Sequence, residues 1–262
     1  MNFVRIDPPG TFCNNEALRD LIKDRDVRTF VDVGCGGGQM SKLLCSLGLT
    51  GVGVDFSRDA LRIAESNLAE EIAAGAYRLV EGDATELDQE LPKQDMALSY
   101  MVMEHVEDDV DFARRLLRLV KPGGLLVLAV PGRRDHWSFE DETVGHLRRY
   151  DREDLERVLV AGGLEDVRVW SVAVPVANIL FRIGDALVKN SDEAKKIGQS
   201  QRQQTETSGI RDIPWKTVFP AWVKLILNRV TLYPLFVLQR MFYNTGYGVT
   251  MIGFGKAPGV NT

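Results

Sequence analysis

An acidic residue followed by alternate glycines is the pattern in this sequence most suited to chemistry. Asp32 comes two residues before Gly34, and Gly36 and Gly38 follow at the same spacing. Glycine lets the backbone turn sharply and lets a ligand approach the main chain closely. Because the apolar run Phe30–Val33 leads into these residues, the pattern predicts a ligand-binding loop at the end of a buried strand.

The spacing of these glycines does not suit a dinucleotide. A dinucleotide-binding loop has the order Gly-x-Gly-x-x-Gly or Ala, and Gln39 stands at its third position when counting starts from Gly34. A nicotinamide-dependent oxidoreductase therefore stays as an alternative that the spacing disfavours.

Two further acids stand at or just after the ends of later apolar runs. Asp55 ends the run Val52–Asp55, about 20 residues after the first glycine, where a carboxylate meets ribose hydroxyls in nucleoside-binding sheets. Phe56 offers a ring on which adenine can stack. Asp83 follows the run Tyr77–Val80. A non-catalytic cofactor-binding partner protein is a second alternative, and the intact acids disfavour it.

Taken in this order, the acid, the glycines and the later acids resemble the motifs of the class I S-adenosylmethionine-dependent methyltransferase family. The step Glu104–Val106 (Glu-His-Val) is similar to the branch that acts on quinones, sugars and other small molecules. The resemblance covers roughly residues 28–173 and the last strand. It implies an enzyme that uses S-adenosylmethionine as its cofactor.

The resemblance also implies a place for individual residues. The first acid and the glycine loop face the methionine and ribose portion of the cofactor. Asp83 accepts from the adenine amino group, and the Ala84 N–H reaches a ring nitrogen. The end of the fourth predicted strand lies beside the reactive methyl. The implied cofactor-binding residues are Asp32, Gly34, Cys35, Gly36, Gly38, Asp55, Phe56, Asp83, Ala84, Ser99 and Tyr100.

Two histidines are candidate catalytic residues. Methyl transfer mainly requires positioned reactants, and a base is needed only when the acceptor keeps its proton, as a hydroxyl does. His105 follows the fourth predicted strand, and His146 lies in Gly145–Tyr150, which resembles methyltransferases of polysaccharide and lipid-linked sugar clusters. Arg149 and Tyr150 are candidate substrate contacts, since arginine suits phosphate or carboxylate. A structural role is the alternative for His105, His146 and Tyr150.

The cysteines and histidines form no cluster along the sequence, so we expect no metal site. The three cysteines lack the Cys-x-x-Cys spacing, which predicts reduced thiols in a cytosolic protein. The N-terminus lacks the apolar core of a signal peptide. We therefore expect a cytoplasmic protein, with the inner face of the membrane as the alternative location.

Short apolar runs alternate with amphipathic stretches through the first half of the chain. The runs are nearly unbroken, as expected of strands buried on both faces, and strand–helix alternation implies parallel pairing. The pattern predicts an α/β fold, a Rossmann-like, doubly wound, mostly parallel seven-stranded sheet with a helical insertion before the last strand. The predicted strands are Phe30–Val33, Val52–Asp55, Tyr77–Val80, Met96–Tyr100, Leu125–Val130, Glu165–Val172 and Gly248–Lys256.

Three segments follow from this pattern. Residues 1–173 are the predicted cofactor-binding core, residues 174–245 a helical insertion or cap, and residues 246–262 the final strand and tail. Within the insertion, residues 189–212 are polar and almost free of large apolar side chains. Such a segment has little to bury, which predicts a mobile loop.

The segment Trp215–Tyr243 is long, aromatic and apolar, and we expect a helix that is kinked or broken at Pro234. One interpretation is a cap over the acceptor pocket or a dimer interface. Another is an interfacial membrane helix with a basic face, which suits a lipid-linked acceptor. Lys224 and Arg229 lie in mid-segment and disfavour a membrane-spanning helix.

Composition and charge limit the class of partner. The chain has 262 residues, of which 45% are hydrophobic and 26% charged, with a net charge of −5. This is typical of a globular protein, and the negative charge disfavours general binding to nucleic acid. We expect a monomer or homodimer that methylates a small-molecule or lipid-linked acceptor. The methylated group is expected to be a hydroxyl on a sugar, a lipid-linked sugar or a phenol- or quinone-like compound.

Overall fold

Strands and helices alternate through the first two thirds of the chain. The computed structural model describes residues 2–84, 91–208 and 213–259. Its strands are β1 Phe3–Arg5, β2 Thr29–Val33, β3 Thr50–Asp55, β4 Tyr77–Glu81, β5 Gln94–Tyr100, β6 Val120–Pro131, β7 Glu165–Val172, β8 Val218–Pro220 and β9 Thr250–Lys256. Its α-helices are α1 Pro9–Ile22, α2 Gln39–Cys45, α3 Arg58–Asn67, α4 Ala69–Ala73, α5 Asp109–Arg118, α6 Phe139–Val144, α7 Arg152–Ala161, α8 Val176–Lys189, α9 Gln201–Ser208 and α10 Tyr233–Arg240. Short 3-10 helices lie at Met103–His105, Arg134–His136, Asp192–Lys196 and Ala221–Leu225.

Seven of these strands form one sheet in the order β4-β3-β2-β5-β6-β9-β7. Neighbours from β4 to β6 are parallel, and β9 is antiparallel to both β6 and β7. The prediction of a mostly parallel, Rossmann-like seven-stranded sheet is therefore confirmed. The strand order reverses between β2 and β5, and ligands of such sheets bind outside the carboxyl ends of the strands at this reversal.

Hydrophobic clusters lie on both faces of the sheet. Phe30 of β2 packs into the same cluster as Leu44 of α2, whereas the next residue, Val31, packs with Leu116 of α5. All four side chains are buried. Successive side chains of a strand point to opposite faces, so a strand buried on both faces reads as an unbroken apolar run. This is why the runs in the sequence located the strands.

The insertion between β7 and β9 is less helical than expected. The segment Trp215–Tyr243 contains β8, the 3-10 helix Ala221–Leu225 and α10. Pro234 lies at the start of α10, where its missing N–H costs no intrahelical hydrogen bond, so the segment is broken at this proline and no single long helix forms. None of the described helices is both long and apolar enough to cross a bilayer.

Part of the polar segment 189–212 forms regular structure. Residues 201–208 form α9, whereas residues 209–212 lie outside the described ranges. Gln201 Nε2 donates to the carbonyl oxygen of His105 (3.1 Å), and Gln204 Nε2 donates to that of Glu142 (3.0 Å). The helix is thus held by amide side chains rather than by apolar burial, which the composition did not reveal. Its mobility stays a prediction.

The N-terminal elements pack against the insertion. Strand β1 pairs with β8 in a separate two-stranded sheet. Arg240 of α10 pairs with Asp20 of α1 through two hydrogen bonds (2.7 and 2.8 Å), and Arg229 pairs with Glu16 in the same way (2.8 and 3.0 Å). The division at residue 173 therefore separates segments that are joined in space.

The apolar contact between α10 and the N-terminal region gives a test of this packing. Phe236 is fully buried in a cluster with Cys13 and Val176, whereas the adjacent Val237 is 45% exposed. We expect Phe236→Ala to lower the free energy of unfolding by about 3–5 kcal/mol and Val237→Ala by less than about 1 kcal/mol. Urea unfolding measures both values, and equal losses would contradict the packing described.

Candidate active site

A cavity of about 940 Å³ opens at the carboxyl ends of the parallel strands. Its wall includes the glycine loop and residues from α1, α8 and α9. A volume of this order holds a small organic ligand. The predicted site residues that line it are Asp32, Gly34, Cys35, Gly36, Asp55, Phe56, Asp83, Ala84, Tyr100, His105, His146 and Arg149.

Asp32 is buried at the end of β2 with one oxygen unsatisfied. Ser41 Oγ donates to its Oδ2 (2.7 Å), and Tyr77 donates in turn to Ser41 Oγ (2.8 Å). Oδ1 of Asp32 has no hydrogen-bond partner. Burial raises the pKa of Asp32 to about 7, because the charged form loses its hydration. A buried carboxylate oxygen that lacks a partner at a cavity wall is suited to accept a hydrogen bond from a cationic group of a ligand.

The three loop glycines all have positive φ, but only one leaves space for a ligand. A Cβ atom on Gly34 would overlap Val102, and one on Gly38 would overlap Leu68. A Cβ on Gly36 would meet no heavy atom within 4 Å. Gly34 and Gly38 are therefore also required by packing, and Gly38 caps α2 rather than lining the cavity. Gly36 keeps the backbone accessible from the cavity.

Asp55 fixes the loop from the side of β3. The Gly36 N–H donates to its Oδ2 (2.8 Å) and the Ser57 N–H to its Oδ1 (2.9 Å). The two preceding N–H groups of the loop donate to a carbonyl oxygen of β3 (2.8 and 3.0 Å). These N–H groups are directed at the protein and not at a phosphate. Asp55 keeps lone pairs for further donors, so the loop suits a nucleoside better than a pyrophosphate.

The place implied for adenine is covered by a residue of α9. The Arg202 guanidinium carbon lies 5.6 Å from the centroid of the Phe56 ring, and its Nη2 lies 3.9 Å from Asp83 Oδ2. The adjacent Ala84 is buried. Arg202 was not foreseen from the sequence, because nothing in its local pattern links it to residues more than 100 positions earlier.

Ser99 and Tyr100 have different positions at the end of β5. The Ser99 hydroxyl donates to the carbonyl oxygen of Val33 (2.8 Å) and ties β5 to β2, so the structure does not bring Ser99 to the cavity. Tyr100 lines the cavity, and its hydroxyl accepts from the side-chain amide of Asn14 on α1. Burial raises the pKa of Tyr100. Asn14 is a further wall residue that the sequence did not reveal.

His105 and His146 come together in the cavity wall. Their ring centroids are 4.9 Å apart, in an edge-to-face arrangement. Nδ1 of His146 lies 2.7 Å from Oδ1 of Asp141, and Nδ1 of His105 lies 3.2 Å from the carbonyl oxygen of Gly145. A carbonyl or carboxylate oxygen accepts, so each Nδ1 carries a proton, and Nε2 keeps its lone pair when the ring is neutral. Both rings can therefore bind or polarise a hydroxyl through Nε2.

Asp141, which sequence reasoning missed, orients His146. It is fully buried, and its Oδ2 accepts from the N–H and Oγ of Ser138 (2.8 and 2.9 Å). Burial tends to raise the pKa of Asp141, but hydrogen bonds and charge from His146 and Arg149 outweigh it and lower the pKa to about 2. Asp141 is thus ionised at neutral pH. The signal in the sequence was a capping box, with Ser138 three residues ahead of an acid.

Arg149 and Tyr150 are already engaged by the protein. Arg149 Nε donates to Asp141 Oδ1 (2.8 Å) and Nη1 donates to the carbonyl oxygen of Gly132 (3.0 Å). Tyr150 is buried away from the cavity and donates to Asp109 Oδ2 (3.0 Å). These contacts suit a structural role for both side chains, because Asp141 balances the charge of Arg149. Their role in substrate binding stays a prediction.

Glu104 is a buried acid next to the histidines. It is 0% exposed, and neither carboxylate oxygen has a hydrogen-bond partner. Its Oε1 lies 3.6 Å from Nε2 of His146. Burial raises the pKa of Glu104 to about 7. The Glu-His-Val step contains this residue, but its burial becomes visible only in the fold.

Comparison with known proteins finds methyltransferases that are similar to this chain. A family model described as a methyltransferase domain matches residues 31–128. The ubiquinone biosynthesis O-methyltransferase of Caulobacter sp. (strain K31) is 32% identical over 129 residues, which are 47% of this chain and 51% of that protein. The chain thus spans about half the length of the curated relatives it matches.

Two solved structures share the fold over almost the whole chain. One is a putative sarcosine dimethylglycine methyltransferase from Galdieria sulphuraria, with a TM-score of 0.59 and 14% identity over 94% of this chain and 85% of that one. The other is Haemonchus contortus phosphoethanolamine N-methyltransferase 2, with a TM-score of 0.58 and 17% identity over 94% of this chain and 52% of that one. Residues 31–128 are a methyltransferase domain of the class I S-adenosylmethionine-dependent type.

Proposed function

We propose that the protein transfers a methyl group from S-adenosylmethionine to a hydroxyl group of a small-molecule acceptor. One observation carries this proposal: the glycine loop with its acids and the oriented His105–His146 pair line the same cavity. The loop provides a nucleoside site, and the pair provides lone pairs toward which a hydroxyl can direct its proton. A single cavity with both features suits the meeting of a cofactor and an acceptor.

The residues of the loop fit S-adenosylmethionine. The unpartnered Oδ1 of Asp32 suits the cofactor's ammonium group, and Asp55 suits the ribose hydroxyls. Gly36 leaves the backbone open at the cavity, and Asp83 with Phe56 suits adenine. When bound, the cofactor supplies an activated methyl group on its sulfonium. The protein's own contribution is to hold the two reactants in line and to keep water out.

The acceptor is proposed to be aromatic, of the phenol or quinone type. The curated relative is named for O-methylation in ubiquinone biosynthesis. The cavity supports this class, because Val102, Val144, Leu180 and Phe181 give it an apolar wall beside the two histidines. A phenolic ring would pack on these side chains while its hydroxyl reaches His105 and His146.

Cofactor binding can be tested with two glycines that share a left-handed backbone conformation. At both Gly36 (φ +52°) and Gly48 (φ +86°) an added Cβ would lie in open space, but only Gly36 lines the cavity. Each change to alanine should cost about 1 kcal/mol of stability. Gly36→Ala should also weaken S-adenosylhomocysteine binding by roughly tenfold or more, whereas Gly48→Ala should not. Calorimetry measures these affinities. Unchanged affinity in Gly36→Ala, or binding of NADH without S-adenosylhomocysteine, would overturn the cofactor assignment.

The acceptor site can be tested at the histidines. His105→Ala and His146→Ala should each lower kcat for a catechol or phenol acceptor by roughly 100-fold, with little change in S-adenosylhomocysteine affinity. His136→Ala is the control, because His136 does not line the cavity and should keep wild-type turnover. Initial rates with labelled cofactor give the comparison. Wild-type rates in both cavity variants would leave these histidines with a structural role.

We also propose that exposed apolar side chains of the segment Trp215–Tyr243, which also provides the cavity-lining Leu227, dock on a lipid bilayer. Leu225, Val230 and Met241 are each about four-fifths exposed (77%, 82% and 77%), and Ile183 is both exposed and part of the cavity wall. Large exposed apolar patches mark interaction sites. A bilayer would cover such side chains and present a lipid-soluble acceptor to the cavity.

Vesicle binding tests this surface. The double variant Leu225→Asp, Val230→Asp should reduce sedimentation with phosphatidylglycerol–phosphatidylcholine vesicles by roughly tenfold. Val160→Asp is the matched control, because Val160 is 57% exposed on α7, in another part of the fold. Equal sedimentation of the wild type and the double variant would exclude bilayer docking through this surface.

A further inference from the structure

Helix α9 presents one of its faces to the nucleoside part of the cavity. Gln201, Arg202, Thr205 and Glu206 line the cavity, and this spacing places them on one side of the helix. Gln203 lies on the other side, where it is exposed and does not line the cavity. The cavity face of α9 is therefore polar, and it offers hydrogen-bonding groups to a ligand rather than apolar area.

Arg202 places the start of this face over the position proposed for adenine. Its guanidinium carbon is 5.6 Å from the centroid of the Phe56 ring, and its Nη2 is 3.9 Å from Asp83 Oδ2. Glu206 follows four residues later, so it lies just over one helical turn, about 6 Å, further along the same face. Because ribose is bonded directly to adenine, this next turn of α9 lies beside the position of the sugar.

Glu206 is close enough to Asp55 for their charges to interact. Burial raises the pKa of Asp55, main-chain N–H donors lower it in part, and the negative charge of Glu206 raises it again. Both side chains line the cavity. Two carboxylates in one wall repel each other unless donors lie between them. The two hydroxyl groups of a ribose are such donors.

A third acid of the same wall independently points to a ligand at this place. Asp32 is 1% exposed, and its Oδ1 has no hydrogen-bond partner. Asp32 belongs to β2 and Asp55 ends β3, and these two strands are neighbours in the sheet. A ligand that donates to Asp32 therefore lies next to Asp55, and α9 covers it from the side opposite the sheet.

We propose that Glu206 is a cofactor-binding residue that accepts a hydrogen bond from one ribose hydroxyl of S-adenosylmethionine, while Asp55 accepts from the other. The ribose then lies between a carboxylate of the sheet and a carboxylate of α9, and its hydroxyl donors offset the repulsion between them. A phosphate on either hydroxyl would meet two negative charges, so the site selects an unphosphorylated ribose. The role of Glu206 rests on the proposed function, since it takes S-adenosylmethionine as the cofactor.

Glu206→Gln should weaken ligand binding without weakening the fold. Removal of this charge relieves the repulsion at Asp55, so the ligand-free variant should unfold at the wild-type temperature or above it. Its affinity for S-adenosylhomocysteine should fall by roughly tenfold, because a charged acceptor is lost. Glu156→Gln is the control with the same change of charge, because Glu156 is exposed on α7 and does not line the cavity. Calorimetry and thermal unfolding measure these values.

Three nucleosides identify the contact itself. Adenosine, 2′-deoxyadenosine and 3′-deoxyadenosine are titrated as competitors of S-adenosylhomocysteine. Glu206→Gln should weaken adenosine binding by roughly tenfold, but it should leave one of the two deoxynucleosides within about twofold of its wild-type affinity, because that ligand lacks the hydroxyl that donates to Glu206. Wild-type affinity for S-adenosylhomocysteine in Glu206→Gln, or an equal loss with all three nucleosides, would overturn the proposal. If the wild type binds adenosine but not S-adenosylhomocysteine, the proposed function fails, and the nucleoside series alone decides whether Glu206 binds the ribose.

Discussion

A buried carboxylate must be paired with donors, and Asp141 meets this requirement with four of them. They are Nδ1 of His146, Nε of Arg149, and the N–H and Oγ of Ser138. Losing Arg149 would leave the buried charge of Asp141 without its cationic partner, which costs on the order of 3–5 kcal/mol. These hydrogen bonds to Asp141 therefore hold residues 138–149 together at the carboxyl ends of the strands. They also place His146 against His105 and Glu104.

Two other buried acids, Asp32 in the cavity wall and Glu104 beside His146, lack this compensation. Asp32 has one unsatisfied oxygen and Glu104 has two, and burial raises the pKa of each to about 7. Folding alone gains nothing from such groups, since a satisfied or apolar side chain would be more stable. Asp32 lines the nucleoside part of the cavity, whereas Glu104 does not line it and faces Nε2 of His146 at 3.6 Å. At Asp32 the missing donor can therefore come from a ligand in the cavity.

Sequence reasoning succeeded where the controlling interactions are local. The buried strands appear as unbroken apolar runs, and the acid–glycine order follows from backbone turns within seven residues. It failed where partners are distant. The Ser99 hydroxyl donates to the Val33 carbonyl oxygen, the Tyr150 hydroxyl donates to Asp109, and Arg149 donates to Asp141. None of these hydrogen bonds has a signature in the sequence. The same limit concealed the contact between Glu104 and His146, because only the fold brings these two residues together.

Helix α9 connects the two parts of the cavity. Arg202 lies over Phe56 and beside Asp83, where adenine is expected, and Thr205 Oγ1 lies 3.1 Å from Nδ1 of His105. One short helix thus contacts both the cofactor part and the acceptor part. It has few buried side chains, so the free energy that holds it is small and comes from exchangeable polar contacts. A cofactor whose adenine stacks on Phe56 would have to displace Arg202 from that ring. Because Arg202 and Thr205 share one helical turn, such a displacement would also alter the contact to His105, and filling one part of the cavity would change the geometry of the other.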